Sequence, residues 1–159
     1  MKILITSDTH GNLNSFEKAV NKEKPFDMLF HCGDVCGDED MIRYYAGSPC
    51  YLVAGNNDFW GGLPKFIKVK LDKHVIWMTH GHRYGVDFGL DKLYYKGLEE
   101  GADIILFGHT HRPVVEENEG VWLVNPGSLT YPRTRDQKRT YIVLNIDEAG
   151  KIAFELRSV

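Results

Sequence analysis

An α/β fold with two sheets packed face to face and helices on their outer surfaces is what this sequence predicts, on three observations. Its first half alternates short apolar runs with stretches of helical periodicity. Its second half consists mainly of paired apolar runs separated by turn residues. Its 159 residues, 43% of them apolar, supply one sizeable core and leave no room for a second domain.

Each element has its own signal. Lys2 to Thr6 is an apolar run that ends in a polar cluster, the first strand. From Asn12 to Lys24, Leu13, Phe16 and Val20 recur at helical spacing, Asn12 or Asn14 offers a cap, and Pro25 closes the segment. Met28 to His31 is the second strand, Glu39 to Ala46 a second helix and Cys50 to Val53 a third strand, so βαβ units with parallel strands are expected here. Phe66 to Leu71 and Val75 to Thr79 flank Asp72 to His74 as a hairpin. A helix between Leu90 and Glu100 precedes a buried strand at Ile104 to Phe107. Val114 to Glu117, Val121 to Asn125, Tyr141 to Asn145 and Ile152 to Leu156 read as antiparallel hairpin structure, with turns at Glu119-Gly120 and Glu148-Ala149-Gly150.

Composition narrows the function classes. A formal net charge of −3 provides no global basic field for nucleic acid, which is therefore an unexpected partner. Neither a signal peptide nor a bilayer-length apolar span is present, so a cytoplasmic protein without membrane attachment is expected. Cys32, Cys36 and Cys50 are an odd number and read as reduced, buried thiols; no second Cys pair completes a structural zinc site around Cys32 and Cys36.

The chemistry lies in five segments that follow apolar runs: Asp8-Thr9-His10, Gly33-Asp34, Gly55-Asn56-Asn57-Asp58, His80-Gly81-His82 and Gly108-His109-Thr110-His111. Open α/β sheets bind ligands at the C-terminal ends of strands, where several loops converge. Singly, Asp8 reads as a helix cap, Gly33-Asp34 and Gly55-Asn56 as turns, and His80 as a structural histidine. The pairs His109/His111 and Asp8/His10 are spaced by two, which on an extended segment points both side chains the same way. Five polar strand ends together favour a metal site over five separate bland explanations. His31 and His74 belong to no segment and read as structural.

This ordered set, D-x-H, G-D, G-N-x-D, H-G-H and G-H-T-H, resembles the calcineurin-like metallophosphoesterase superfamily, and Asn125-Pro126-Gly127-Ser128 after the last His pair is similar to its compact bacterial and archaeal phosphodiesterases. The resemblance covers residues 3 to about 133. It implies a four-layer α-β-β-α sandwich of two mixed sheets and two divalent metals bridged by one carboxylate. Carried onto this chain, the first metal would be held by Asp8, His10, Asp34 and His111, and the second by Asp34, Asn56, His80 and His109, with Asp34 as the bridge. Carboxylates and imidazoles without thiolates suit manganese best, with nickel, iron or zinc as alternatives. Such a pair of metals binds the phosphate of a small phosphoester and a water whose hydroxide attacks phosphorus. The catalytic set implied is Asp34, Asn56, Asn57, Asp58 and His82.

One departure stands out. Many superfamily members carry a His after G-N that serves the leaving oxygen, whereas this chain has Asn57, which donates a hydrogen bond but delivers no proton at neutral pH. His82 is the nearest substitute, or else it orients a loop. Two other functions compete with the phosphodiesterase: a protein-interaction scaffold, since the compact branch includes a subunit of the retromer coat, and a nuclease using Arg133, Arg135, Lys138 and Arg139 as a phosphate-binding edge. Phe59 and Trp60 follow the third motif as a candidate aromatic wall, and Tyr84, Tyr94 and Tyr95 are candidates for a homodimer interface.

Overall fold

A computed structural model describes residues 1–159. The strands are β1 (Lys2–Thr6), β2 (Met28–His31), β3 (Cys50–Leu52), β4 (Phe66–Leu71), β5 (His74–Thr79), β6 (Ile104–Leu106), β7 (Pro113–Asn118), β8 (Val121–Pro126), β9 (Thr140–Ile146) and β10 (Ile152–Ser158). The helices are α1 (Asn14–Glu23), α2 (Glu39–Ala46) and α3 (Asp91–Glu99), with a 3-10 turn at His82–Tyr84. One sheet has the order β10-β9-β1-β2-β3 and the other β4-β5-β6-β8-β7.

Alternation along the strands sorts the core into layers. In β1, Ile3 and Ile5 face the second sheet while Leu4 faces α1 and α2; in β6, Ile104 and Leu106 face the first sheet while Ile105 faces α3. The same parity puts Ile76 and Met78 between the sheets and Trp77 under α3. Helix α1 buries Phe16, Ala19, Val20 and Glu23, one stripe at three- and four-residue spacing, against the outer face of the first sheet. The result is the expected four-layer α-β-β-α sandwich. Each fully buried large apolar side chain here contributes about 1.5–3 kcal/mol.

The sheets are mixed, as the resemblance implied, but the second half is not the purely antiparallel structure that its paired apolar runs suggested. Strand β6 lies parallel to both β5 and β8, and β9 and β10 return to extend the first sheet beside β1, so both sheets are mixed. Helix α3 makes the crossover that a parallel β5–β6 pair needs, and β7 does the same for β6–β8 by running back as a hairpin partner. That hairpin turns on Glu119 and Gly120, both at positive φ, as a tight two-residue turn requires. The β4–β5 turn is shorter than expected, because His74 already pairs with Leu71. No helix is long and apolar enough to cross a membrane.

Several smaller expectations are also settled by packing. The N-cap position of α1 falls on Leu13 and has no side-chain cap, so neither Asn12 nor Asn14 fills it, although Asn12 Oδ1 accepts the Asn14 amide. Cys32 is buried but Cys36 is exposed, so the thiols are not uniformly core residues. Tyr84 packs edge-on against Trp77 and Tyr94 lies on the buried face of α3, which leaves Tyr95 as the exposed one of the three tyrosines. His74 ties the sheets together: its Nδ1 faces Asp103 Oδ2 at 2.5 Å and its Nε2 faces Gly150 O at 2.7 Å.

Candidate metal centre

The five polar segments lie at the C-terminal ends of β1, β2, β3, β5 and β6, where the parallel strands of both sheets finish on one side of the sandwich. Backbone bonds continue the ladders into these loops: Asp8 N to Gly33 O, His10 N to Asp34 O and Gly108 N to His80 O. The sheets are joined here as well, since His80 Nδ1 meets Cys32 O at 2.7 Å and His109 N donates to Asp8 Oδ2 at 3.1 Å.

The means of convergence differs from the extended spacing inferred from sequence. Asp8, His10, Asp34, His109 and His111 all have φ between 48° and 70°, the left-handed region. Non-glycine residues rarely adopt it, and they persist there only where surrounding structure imposes it, typically at functional sites. Each sharp turn folds its side chain inward, so residues two apart converge by backbone reversal. The motif glycines give the necessary clearance: a Cβ on Gly55 would lie 2.1 Å from Asp34 Oδ1, and one on Gly108 would lie 2.1 Å from Ser7 Oγ and 2.8 Å from Asp8 Oδ2.

Asp8, His10, Asp34 and His111 bring one ligand atom each within 4.8 Å of one another. His111 Nε2 lies 3.1 Å from Asp8 Oδ1 and 3.1 Å from His10 Nε2. Beside them, Asn56 Oδ1 lies 3.1 Å from His80 Nε2 and 2.9 Å from His109 Nδ1, and His80 Nε2 is 3.5 Å from Asp34 Oδ2. All seven residues expected to bind metal therefore lie in one cluster.

Outer partners fix which ring nitrogens face inward. His111 Nδ1 donates to Tyr131 O at 2.6 Å, His80 Nδ1 to Cys32 O, and His109 Nε2 to Asp87 Oδ2 at 2.8 Å. The inward nitrogens are then lone pairs that face carboxylate and amide oxygens, acceptor against acceptor. Asp8 Oδ1 is fully buried and has no hydrogen bond. Such an arrangement needs an electrophile at its centre, and a divalent cation fits the donor set. The charges agree. Burial pushes the Asp8 carboxyl up, but His111 and His80 bring it below its ordinary value, and His80 with Asn57 holds Asp34 well below the carboxylate range. Burial lowers His80 too, yet the nearby Asp34 and Asp8 carboxylates leave it raised: the pocket is negative enough to attract either a proton or a metal.

The expected catalytic residues are placed unevenly. Asn57 turns onto Asp34, its amide N donating to Oδ1 at 2.9 Å and Nδ2 to Oδ2 at 2.8 Å, so its side chain steadies that carboxylate and does not reach outward. Asp58 is engaged by the backbone: its oxygens accept the amides of Cys36 and Gly55 at 2.6 and 2.7 Å and brace two loops. His82 sits with its ring centroid 5.3 Å from that of His80, and its Nδ1 is buried without a partner. Burial and the neighbouring His80 and His109 lower its pKa to about 4, so at neutral pH it has no imidazolium proton to give. His31 is a structural residue, as expected; burial lowers it to about 4 and it bridges Thr9 and Gly33.

Sequence reasoning missed Asp87, Ser7 and Ser128. Ser7 Oγ donates to Asp8 Oδ2 at 2.5 Å, and Ser128 Oγ donates to Asp8 O while accepting the amides of Thr130 and Tyr131. Asn125 Nδ2 reaches Gly108 O and Thr110 Oγ1, so the Asn125 to Ser128 segment is a clamp on the two loops that carry Asp8 and His109. Only that motif carried any signal in the sequence; Asp87 stands in no recognisable spacing. The basic tail also disperses. Lys138 pairs with Asp136, Arg139 bonds Ser15, and Arg133 is the member that approaches the site.

Known proteins resemble this chain along its whole length. A probable metallophosphoesterase, YsnB of Bacillus subtilis, is 35% identical over 97% of this chain and 90% of its own length. The phosphodiesterase YfcE of Escherichia coli is 32% identical over 100% of this chain and 95% of its own. The structure of Vps29 from Entamoeba histolytica, determined with zinc, superposes with a TM-score of 0.79 over 99% of both chains at 22% identity, a likeness of fold alone. The calcineurin-like phosphoesterase superfamily domain matches residues 1–149, and the chain belongs to that superfamily.

Proposed function

We propose that the protein is a divalent-metal-dependent phosphodiesterase with two metal positions sharing Asp34, manganese being the metal its donors favour. The observation that carries this reading is the inward convergence of lone pairs, with the buried, unbonded Asp8 Oδ1 at the centre. Asp8, His10, Asp34 and His111 would hold one cation, and Asp34, Asn56, His80 and His109 the other. The chemistry supplied by such a pair is Lewis-acid activation of water and neutralisation of charge on phosphoryl oxygens. The chain's own part is positional. Ser7 and the His109 amide fix one Asp8 oxygen and leave the other for the cluster, while Asn57 holds both Asp34 oxygens in plane. Asp87, Tyr131 and Cys32 set the tautomers of the three histidines. Asn57, at the position where many superfamily members carry a His, spends its amide on Asp34, which favours esters whose leaving group departs as an anion.

A scaffold role would explain the sandwich but not the acceptor-against-acceptor geometry, which a protein-binding surface has no need to build. The test is metal-stripped protein reloaded with one divalent ion at a time, assayed on a phosphoester panel with elemental analysis alongside. Two equivalents of metal and diester turnover that collapses by orders of magnitude in Asp34→Asn are expected. Binding that saturates at one equivalent, or full activity in Asp34→Asn, would falsify the bridging assignment.

A further inference from the structure

Beside the metal cluster lies a cleft of about 260 Å³ whose floor is Val86, Leu90, Phe107 and Val114 and whose rim carries Arg112 and Arg133. Asp87, at one end, holds His109, and Thr110 lies between the two expected ligands His109 and His111. The floor is rigid, since Phe107 and Val86 are buried in the core under α3. The rim is tied to the site by the backbone: Arg133 N donates to His111 O at 3.0 Å, and Arg112 Nε donates to Arg133 O at 3.2 Å.

Arg112 and Arg133 both line the cleft. Neither is in the ion pairs that hold Lys2, Lys68, Lys96, Lys138 and Arg157 to carboxylates within 4.0 Å, so both charges are free for an anion. In a chain of net charge −3, two uncompensated arginines above an apolar floor, next to a phosphate-handling centre, form a site with an apolar face and an anion-binding edge. The only carboxylate in the cleft, Asp87, is turned onto His109.

We infer that this cleft is the subsite for the organic group esterified to the phosphoryl centre, and that it selects an aromatic ring carrying a second anionic group, the ring lying on Val86, Leu90 and Val114 and the anion on Arg112 and Arg133. The inference rests on the phosphodiesterase reading and deepens it by naming the substrate class.

The test compares two methyl phosphodiesters on the manganese-loaded protein, one of a nitrophenol and one of the same nitrophenol with a ring carboxylate. The wild type should show a KM about tenfold lower for the carboxylated ester, the scale of two partly exposed charge-assisted contacts. Arg112→Gln with Arg133→Gln should bring that ratio to about one, Val114→Asp should raise KM for both esters, and Arg135→Ala, outside the cleft, should change neither. In parallel, the carboxylated nitrophenol alone is titrated into metal-free protein by calorimetry, where the double variant should lose the binding seen with wild type. If neither ester is hydrolysed with any metal, the phosphodiesterase reading fails while the titration still tests the cleft. Hydrolysis with equal KM values in the wild type, or titrations unchanged by the arginine substitutions, overturns the subsite.

Discussion

Asp87→Asn isolates one half of the proposed metal centre. Asp87 Oδ2 accepts the Nε2 proton of His109 at 2.8 Å, which turns the His109 Nδ1 lone pair toward Asn56. Removing such an outer carboxylate typically costs 10–100-fold in metal affinity. The Asp87 side chain is 45% exposed, so water screens its charge and the effect should fall at the lower end, about tenfold or ~1.4 kcal/mol. His109 belongs to one ligand grouping only, so one of the two manganese equivalents should weaken while the other, built on Asp8, His10 and His111, is unaffected. Calorimetric titration of metal-free protein resolves the two. An unchanged isotherm would show that Asp87 does not orient the ligand, and equal weakening of both equivalents would show that the cluster is a single cooperative unit.

Three further outcomes follow from the same geometry. Gly108→Ala would place a Cβ 2.1 Å from Ser7 Oγ and 2.8 Å from Asp8 Oδ2, so it should cost about 1–3 kcal/mol in denaturant unfolding and abolish tight manganese binding; wild-type affinity would refute the close-approach argument. Because Asn57 spends its amide on Asp34, rates for a series of aryl diesters should fall steeply as leaving-group pKa rises, with about 10²–10⁴ of general-acid assistance absent; similar chemical rates for alkyl and nitrophenyl esters would reveal a proton donor. Burial alone would lower the His74 pKa, but Asp103 and the Gly150 carbonyl raise it, so the clamp between the sheets is fully present below the unfolded value near 6.5 and is lost as pH rises through the higher folded value. The stability difference between wild type and His74→Gln, measured in chelator, should therefore shrink by about 1–3 kcal/mol from pH 6 upward, and a flat difference through pH 9 would refute the clamp.

What could be read in the sequence depended on whether the physics was local. The strands β1, β2 and β6 and the buried face of α1 follow from periodicity, which each segment carries by itself. The parallel pairing of β6 with β8 does not, since an apolar run has no direction until a crossover is built. The residues that converge were legible because five strand-end segments hold His, Asp and Asn in an order that resembles the superfamily's, although the left-handed turns at Asp8, His10, Asp34, His109 and His111 were not. Asn57, Asp58 and His82 were read by proximity to motifs, and the structure assigns their polar atoms by three-dimensional neighbours instead. Asp87 is the same lesson in reverse: it lies 22 residues from His109 and carries no spacing signal, yet it sets that ring's tautomer.

The seam between the sheets explains why strain and function coincide here. Asp8, His10, Asp34 and Asn56 come from loops of the first sheet, and His80, His109 and His111 from loops of the second. Hydrophobic packing of Ile3, Ile5, Ile104 and Leu106 brings the two sets together but is blind to charge, and the pocket it closes holds like-facing lone pairs. Left-handed backbone at five non-glycine residues adds an opposing cost of order 1–3 kcal/mol each. A fold under those costs alone would gain by letting the loops relax outward. The clamp of Asn125 and Ser128 on the Gly108 and Asp8 backbones prevents that relaxation, which makes the clamp, more than the ligands themselves, the part of the fold that keeps the cradle in shape for a cation.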